Sequence, residues 1–244
     1  MHYCISDIHG CFDDFLKLLD IISFNDEDVL YIIGDVIDRG DKPLEIIDYI
    51  RHKSNIVLLM GNHELMAFDS LINNPSKRFM SSLWKHNGGD TTFRECLKLS
   101  DNDFRSFVDY LKTLSIYQEL EVKGEKFLLV HGGINTNYYQ DIDECEVEDV
   151  LWFRGPYFEK GYQDKTLVMG HMPTKALVPY IEKAILLKDY DKDIYNEEIL
   201  KEAVVKGNNA EIINIPKRIF IDCGKVFGYK LACIRLEDKK EYYI

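Results

Sequence analysis

The stretch Gly34-Asp35-Val36-Ile37-Asp38-Arg39-Gly40 (GDVIDRG) directly follows the apolar run Val29–Ile33. A short β-branched run that ends in a glycine and an acid is typical of a buried strand leading into a polar turn. The glycines permit a sharp turn and a close approach of the backbone to a ligand. This stretch therefore predicts a strand that delivers two acids and an arginine to one end of a sheet.

The same pairing of an apolar run with a polar cluster recurs along the chain. His2–Ser6 leads to Asp7-Ile8-His9-Gly10, Ile56–Met60 to Gly61-Asn62-His63-Glu64, Phe127–Val130 to His131-Gly132-Gly133, and Thr166–Met169 to Gly170-His171. Between the first three runs, amphipathic spacing predicts helices at Phe12–Ile22 and Pro43–Ile50. Because ligand sites collect at the carboxyl ends of strands in α/β sheets, we expect five strand ends to meet at one site.

The alternation of strands and helices predicts an α/β fold in a single domain, residues 1–244. Residues 64–115 have a mostly helical pattern, which predicts a helical cap beside the site. Ile181–Leu187, Ile219–Asp222 and Leu231–Leu236 are predicted as further strands of a second sheet. The charged stretch 188–217 indicates either an insertion or a mobile flap, and its composition favours a solvated surface excursion.

Composition narrows the class of protein. The 244 residues include 30 Lys and Arg but 42 Asp and Glu, a net charge of −12. This balance argues against binding to a nucleic acid polymer, which requires clustered basic residues. The six cysteines form no CxxC pair, and no run approaches the ~18 apolar residues of a membrane span. We therefore expect a cytoplasmic protein with reduced thiols and no membrane partner.

The strand-end clusters offer carboxylate oxygen, amide oxygen and imidazole nitrogen, the donor set that Mn, Fe and Zn accept. An isolated Asp-x-His pair such as Asp7 and His9 arises easily by chance, and an acid in a polar turn is often only a helix cap. Neither explanation accounts for several such clusters at successive strand ends. The pattern favours a metal site.

The chain resembles the phosphoprotein phosphatase branch of the calcineurin-like metallophosphoesterases in five motifs and in their order: Asp-x-His, GDxxDRG, GNHE, His-Gly-Gly and Gly-His-x-Pro. The chain is most similar to the small bacterial and phage Ser/Thr phosphatases. Trp84–Gly89, Leu151–Arg154 and Ile221–Gly224 also resemble stretches of those proteins. The resemblance implies a two-sheet β-sandwich flanked by helices, a four-layer αββα fold.

Carried over by motif, the resemblance implies two divalent or trivalent metal ions, with Mn favoured and Fe or Zn as alternatives. The implied ligands are Asp7, His9, Asp35, Asn62, His131 and His171, with Asp35 shared by both ions. The implied reaction is hydrolysis of a phosphoester by direct attack of a metal-bridging hydroxide, with no covalent phosphoenzyme.

The resemblance also assigns catalytic roles. His63 would protonate the leaving group and Asp38 would orient its imidazole. Arg39 and Arg154 would hold the phosphoryl oxygens through their planar guanidinium groups. Arg154 rests on Leu-Trp-Phe-Arg alone, and an ordinary surface salt bridge is the competing interpretation. Pro173 follows His171 by two residues, where nuclease-like members of the superfamily usually have a second His.

Three functions compete. A phosphatase acting on phosphorylated proteins or small phosphoesters is the first, and a hydrolase of dinucleoside polyphosphates such as diadenosine tetraphosphate is the second. In the symmetrically cleaving relatives the position of Asp38 is usually not acidic and that of Glu64 is usually Asp, which favours the phosphatase. A non-catalytic binding module is the third, and the full set of ligands together with His63 argues against it.

Overall fold

The computed structural model describes residues 1–72 and 79–244, whose strands form two five-stranded sheets. The first consists of β10 (Lys240–Tyr243), β9 (Ala232–Arg235), β1 (His2–Ile5), β2 (Val29–Ile33) and β3 (Ile56–Leu59), in that order. The second consists of β4 (Tyr117–Val122), β5 (Glu125–Val130), β6 (Thr166–Met169), β8 (Arg218–Phe220) and β7 (Ile213–Ile215), in that order.

Helices cover the outer face of each sheet. Against the first lie α1 (Phe12–Ile21), α2 (Pro43–Arg51), α3 (Asn62–Ile72), α4 (Ser82–His86), α5 (Asp90–Lys98) and α6 (Asp101–Lys112). Against the second lie α7 (Val147–Leu151), α8 (Thr174–Leu187) and α9 (Glu197–Asn208). Within residues 1–72 and 79–244, no helix has the length and apolar character needed to cross a membrane.

The inner faces of the two sheets pack against each other. Cys4, Ile33 and Leu59 of the first sheet share one buried cluster with Leu129 and Val168 of the second. Each aliphatic side chain buried there stabilises the fold by roughly 1.5–3 kcal/mol relative to exposure. The predicted sandwich of two sheets between helices is confirmed.

Parallel pairing gives the functional loops a common edge. β1, β2 and β3 are parallel neighbours, as are β5, β6 and β8. The loops that follow these strands therefore leave the sheets on one side. The antiparallel strands β4, β7, β9 and β10 lie at or towards the outer edges.

The structure corrects two of the predicted strands. Leu231–Leu236 was predicted in the second sheet, but β9 pairs antiparallel with β1 in the first sheet. Residues 181–187 belong to helix α8, not to a strand. Leu177, Ile181 and Ala184 are buried at helical spacing, whereas Leu186 and Leu187 are 81% and 59% exposed. The run of apolar residues was thus mistaken for a buried strand, which periodicity alone does not separate from one face of a helix.

The charged stretch 188–217 contains α9 and β7. α9 buries Leu200 and Ala203 in the cluster that it shares with α8, while Glu197 and Glu198 remain exposed. β7 pairs antiparallel with β8 at the edge of the second sheet. The stretch is therefore solvated on one face and packed on the other.

Candidate metal centre and active site

The loops after the parallel strands bring the predicted ligands together. Asp7 follows β1, Asp35 follows β2, Asn62 follows β3, His131 follows β5 and His171 follows β6. His9 joins them, because its backbone N–H donates to the carbonyl of Asp35 at 2.9 Å. All six side chains are buried.

Asp35 lies at the centre of this group. Its Oδ2 is 3.3 Å from Nε2 of His131, 3.7 Å from that of His9 and 3.9 Å from that of His63. Burial alone would raise the pKa of Asp35, but the surrounding histidines outweigh it and hold the pKa well below its ordinary value. Asp35 is thus an ionised carboxylate that lies close to several imidazoles and can supply an oxygen ligand to a metal.

Two histidines have their rings fixed by backbone carbonyls. Nδ1 of His131 donates to the carbonyl of Ile33 at 2.8 Å, and Nδ1 of His9 donates to that of Ile37 at 2.9 Å. This bond orients a metal-binding histidine and directs its Nε2 towards the ion. Burial favours the neutral imidazole of His131 and so lowers its pKa. The carboxylates of Asp35 and Asp7 outweigh burial and raise this pKa to about 10. A bound cation would displace that proton.

His171 and Asn62 form the other side of the group. Oδ1 of Asn62 lies 2.9 Å from Nε2 of His131 and 3.0 Å from Nδ1 of His171. Burial and the nearby His131 lower the pKa of His171 to about 3, so its imidazole is neutral. Oδ2 of Asp7 accepts the backbone N–H of His171 at 3.0 Å and the hydroxyl of Ser6. The bond from His171 to Asp7 ties the loop after β1 to the loop after β6.

The donor atoms fit two neighbouring metal ions. The possible ligand atoms form two groups, and within each group they lie within 4.8 Å of one another. Asp35 belongs to both groups, together with His9 and His63 in the first and with His131 and His171 in the second. Nε2 of His171 is buried and has no hydrogen-bond partner among the described residues, which is costly for a polar atom unless an ion or water occupies the site. Asp7 lies outside both groups, and His63 takes its place in the first.

His63 is held against a second carboxylate. Its Nδ1 donates to Oδ2 of Asp38 at 2.6 Å, and its backbone N–H donates to Oδ1 of Asp35 at 3.0 Å. Burial lowers the pKa of His63, but Asp35 and Asp38 outweigh burial and raise it above the ordinary value. The ring therefore directs Nε2 towards the site in an orientation suited to proton transfer.

The two predicted arginines differ in position. Arg39 lies at the site, with Nη1 2.7 Å from Nε2 of His9 and Nη2 2.9 Å from Nε2 of His63. Its guanidinium also lies over the ring of Phe227, 5.4 Å from the centroid. Arg154 is exposed, with Nη1 3.1 Å from Sδ of Met172. Within the described part of the chain Arg154 forms no salt bridge, contrary to the competing interpretation.

The backbone of the site is strained. Non-glycine residues with positive φ are uncommon, and they cluster where surrounding structure imposes the conformation. Here left-handed backbone occurs at Asp7 (φ 52°), His9 (45°), Asp35 (56°), Asp38 (70°), Arg39 (64°) and His171 (64°). The fold thus stabilises otherwise unfavourable conformations at most of the predicted site residues.

A family model described as calcineurin-like phosphoesterase matches residues 3–214. The chain belongs to this family. As a calcineurin-like phosphoesterase it is a metal-dependent phosphoric ester hydrolase, in agreement with the donor groups around Asp35. The resemblance to the calcineurin-like metallophosphoesterases drawn from the strand-end motifs is confirmed.

Curated relatives of this calcineurin-like phosphoesterase include symmetrical bis(5'-nucleosyl)-tetraphosphatases. The one from Salmonella paratyphi B is 26% identical, covering 99% of this chain and 93% of its own length. The one from Pasteurella multocida is 25% identical, covering 98% and 95%. A solved structure of a putative diadenosine tetraphosphatase aligns with a TM-score of 0.61 at 14% identity, over 100% of this chain and 92% of the other. That likeness concerns the fold.

Sequence reasoning missed the structural role of Glu64. Its Oε2 accepts the backbone N–H groups of Asp35 at 2.7 Å and Gly61 at 2.9 Å. Its Oε1 accepts those of Val36 at 2.9 Å and Ile37 at 3.3 Å. One fully buried carboxylate thus joins the loop after β2 to the loop after β3. The GNHE motif marks the residue, but its partners are defined only by the folded chain.

We expect Glu64→Gln to lower the free energy of unfolding by about 2–5 kcal/mol, because an amide has one acceptor oxygen and two N–H groups lose their acceptor. Urea unfolding of the metal-free protein measures this difference. Glu198→Gln, the same change at an exposed position of α9, is the matched control and should alter stability by less than ~0.5 kcal/mol. Equal midpoints for both variants would contradict the role given to Glu64.

Proposed function

We propose that the protein is a dinuclear-metal phosphomonoesterase that removes phosphate from phosphoserine or phosphothreonine in proteins. The observation that carries this proposal is the His63–Asp38 pair, joined at 2.6 Å beside the metal-binding donors. A serine or threonine alkoxide is a strongly basic leaving group, so its departure requires a proton from a positioned acid. His63, with its raised pKa, supplies that proton from Nε2.

The predicted ligands divide between two ions. Asp7, His9 and Asp35 would hold the first, and Asn62, His131 and His171 would complete the second, with Asp35 shared. When bound, the ions would withdraw charge from the phosphate oxygens and lower the pKa of the attacking water. The imidazole and carboxylate donors suit Mn, with Fe or Zn as alternatives.

The remaining side chains orient the phosphate. Arg39 extends its guanidinium between His9 and His63, so it can reach a phosphoryl group placed beside the shared Asp35. Arg154 approaches from the exposed side, next to the loop that carries His171. A planar guanidinium gives two parallel hydrogen bonds to phosphate and balances its charge. The helices between residues 64 and 115 would form the cap that borders this cleft.

The second candidate is hydrolysis of dinucleoside polyphosphates, favoured by the curated relatives at 25–26% identity. Its leaving group is a nucleoside polyphosphate, a stable anion that departs without protonation. A buried imidazole–carboxylate pair is therefore of less use for that reaction. The acidic residue at position 38 and Glu64 also depart from the pattern usual in symmetrically cleaving relatives.

We expect metal removal to abolish release of phosphate from a phosphoserine peptide, and Mn to restore it. Because Mn binds the folded state, it should also stabilise the protein, by ~2.7 kcal/mol at a concentration 100 times its Kd. Phosphate assays and thermal unfolding of chelator-treated protein measure both effects. Ca²⁺, which prefers oxygen donors alone, is the control and should restore little activity. Full turnover by metal-free protein would contradict the proposal.

A further inference from the structure

Trp84 of α4 and Thr92 of α5 converge on the carboxylate that holds His63. Nε1 of Trp84 donates to Oδ2 of Asp38 at 2.8 Å, and Oγ1 of Thr92 donates to Oδ1 at 2.5 Å. Trp84, Thr92 and Asp38 are fully buried, at 0% exposure. Together with Nδ1 of His63, each carboxylate oxygen has a donor, so the plane of the carboxylate is fixed.

Helix α5 and the residues just before it also support the backbone of the turn at Asp38 and Arg39. The N–H of Asp38 donates to Oγ1 of Thr92 at 2.9 Å, so this hydroxyl bonds both the main chain and the side chain of Asp38. The N–H of Arg39 donates to the carbonyl of Gly88 at 3.1 Å. Both Asp38 and Arg39 have left-handed backbone, which costs energy unless the surroundings impose it.

The residues that connect α4 to α5 pack closely against Trp84 and Arg39. A Cβ added to Gly89 would lie 2.4 Å from Nε1 of Trp84, and one added to Gly88 would lie 2.9 Å from Cγ of Arg39. Phe93 packs edge-on against Trp84 with centroids 6.0 Å apart. The indole of Trp84 thus packs between Gly89 and Phe93, with its N–H facing Asp38.

We propose that Trp84 and Thr92 are positioning residues for His63, acting through Asp38. These two residues of α4 and α5 then contribute to proton transfer as well as to the packing of their helices. This inference rests on the role of His63 as general acid under the proposed function. An ordinary core role for both side chains predicts loss of stability alone, without selectivity for the leaving group.

The test compares Thr92→Val with Thr91→Val on two substrates, with Mn present. Thr91 is adjacent in the same helix, and its hydroxyl has no hydrogen-bond partner in the parts of the chain described, which makes it a matched control. On a phosphoserine peptide we expect Thr92→Val to lower kcat about tenfold with KM unchanged, a part of the ~10²–10⁴-fold that a positioned acid contributes. On 4-nitrophenyl phosphate, whose leaving group needs no proton, both variants should retain wild-type kcat.

Two further variants separate positioning from folding. Thr92→Ser keeps the hydroxyl and should restore peptide turnover, whereas Trp84→Phe removes the N–H donor together with one ring of the indole and should reproduce the selective loss. A readout independent of activity is the downfield proton resonance of the short bond from Nδ1 of His63, observed in metal-free protein with ¹⁵N-labelled histidine. It should persist in Thr91→Val and weaken in Thr92→Val.

Equal losses on both substrates in Thr92→Val, or the same small effect in Thr92→Val and Thr91→Val, would overturn the inference. The wild-type rates judge the proposed function separately. If the wild-type protein hydrolyses the peptide but the variants lose activity equally on both substrates, the proposed function stands and the positioning role is rejected. A wild-type protein inactive on the peptide rejects the proposed function itself, and with it the inference.

Discussion

Replacement of His63 by Asn should lower kcat on a phosphoserine peptide by ~10²–10⁴-fold, the contribution of a positioned general acid. Asparagine can still donate to Asp38, but it has no titratable nitrogen to protonate the serine alkoxide. Metal content should stay at the wild-type value, since the predicted ligands are untouched. Steady-state kinetics and elemental analysis of the same preparation measure both quantities.

His52→Asn is the matched control, because His52 is exposed and its Nδ1 contacts the carbonyl of Asp48 at 2.7 Å, away from the site. Its turnover should equal that of the wild type. Unchanged turnover in His63→Asn would remove His63 from its catalytic role. Loss of one metal ion would instead make His63 a ligand, as its inclusion in the group with His9 and Asp35 allows.

Asp35→Asn should have the other large effect, loss of both metal ions together with activity. Asp35 belongs to both donor groups, and the amide removes the negative charge that favours cation binding. The expected fall in metal affinity exceeds ~100-fold, since even residues that only orient ligands contribute 10–100-fold. Isothermal titration with Mn measures it.

Asp28→Asn controls for the loss of a buried acid. Asp28 is 5% exposed and bonds the N-terminal amine at 2.7 Å, so the variant should lose stability but bind metal normally. Two ions retained in Asp35→Asn with wild-type affinity would show that the shared-ligand assignment is wrong.

The sequence was most informative where one short segment contains both a strand and its polar end. The loops at Asp7 and His9, at Asp35 to Arg39 and at Asn62 to Glu64 follow strands whose pairing is parallel and nearly sequential. Their convergence therefore follows from chain order. His131 and His171 needed the further assumption that a second sheet presents its strand ends to the same place, which the contacts with Asn62 bear out.

What the sequence could not give are contacts between distant side chains. Thr92 lies 54 residues beyond Asp38, and nothing in its helical surroundings distinguishes it from Thr91. The short edge strand Ile213–Ile215 was missed because three residues carry too little periodicity. The prediction of a strand at 181–187 was wrong because these residues form a helix that buries one face, centred on Ile181, against the rest of the protein.

Competition between a phosphoserine peptide and diadenosine tetraphosphate for the Mn-loaded protein tests the proposed function most directly. The ratio of the two kcat/KM values, measured in one reaction, removes uncertainty in active-site concentration. We expect the peptide to be preferred, because the His63–Asp38 pair accelerates only departure of the alkoxide. Clear preference for the nucleotide would contradict it and favour the polyphosphate hydrolase.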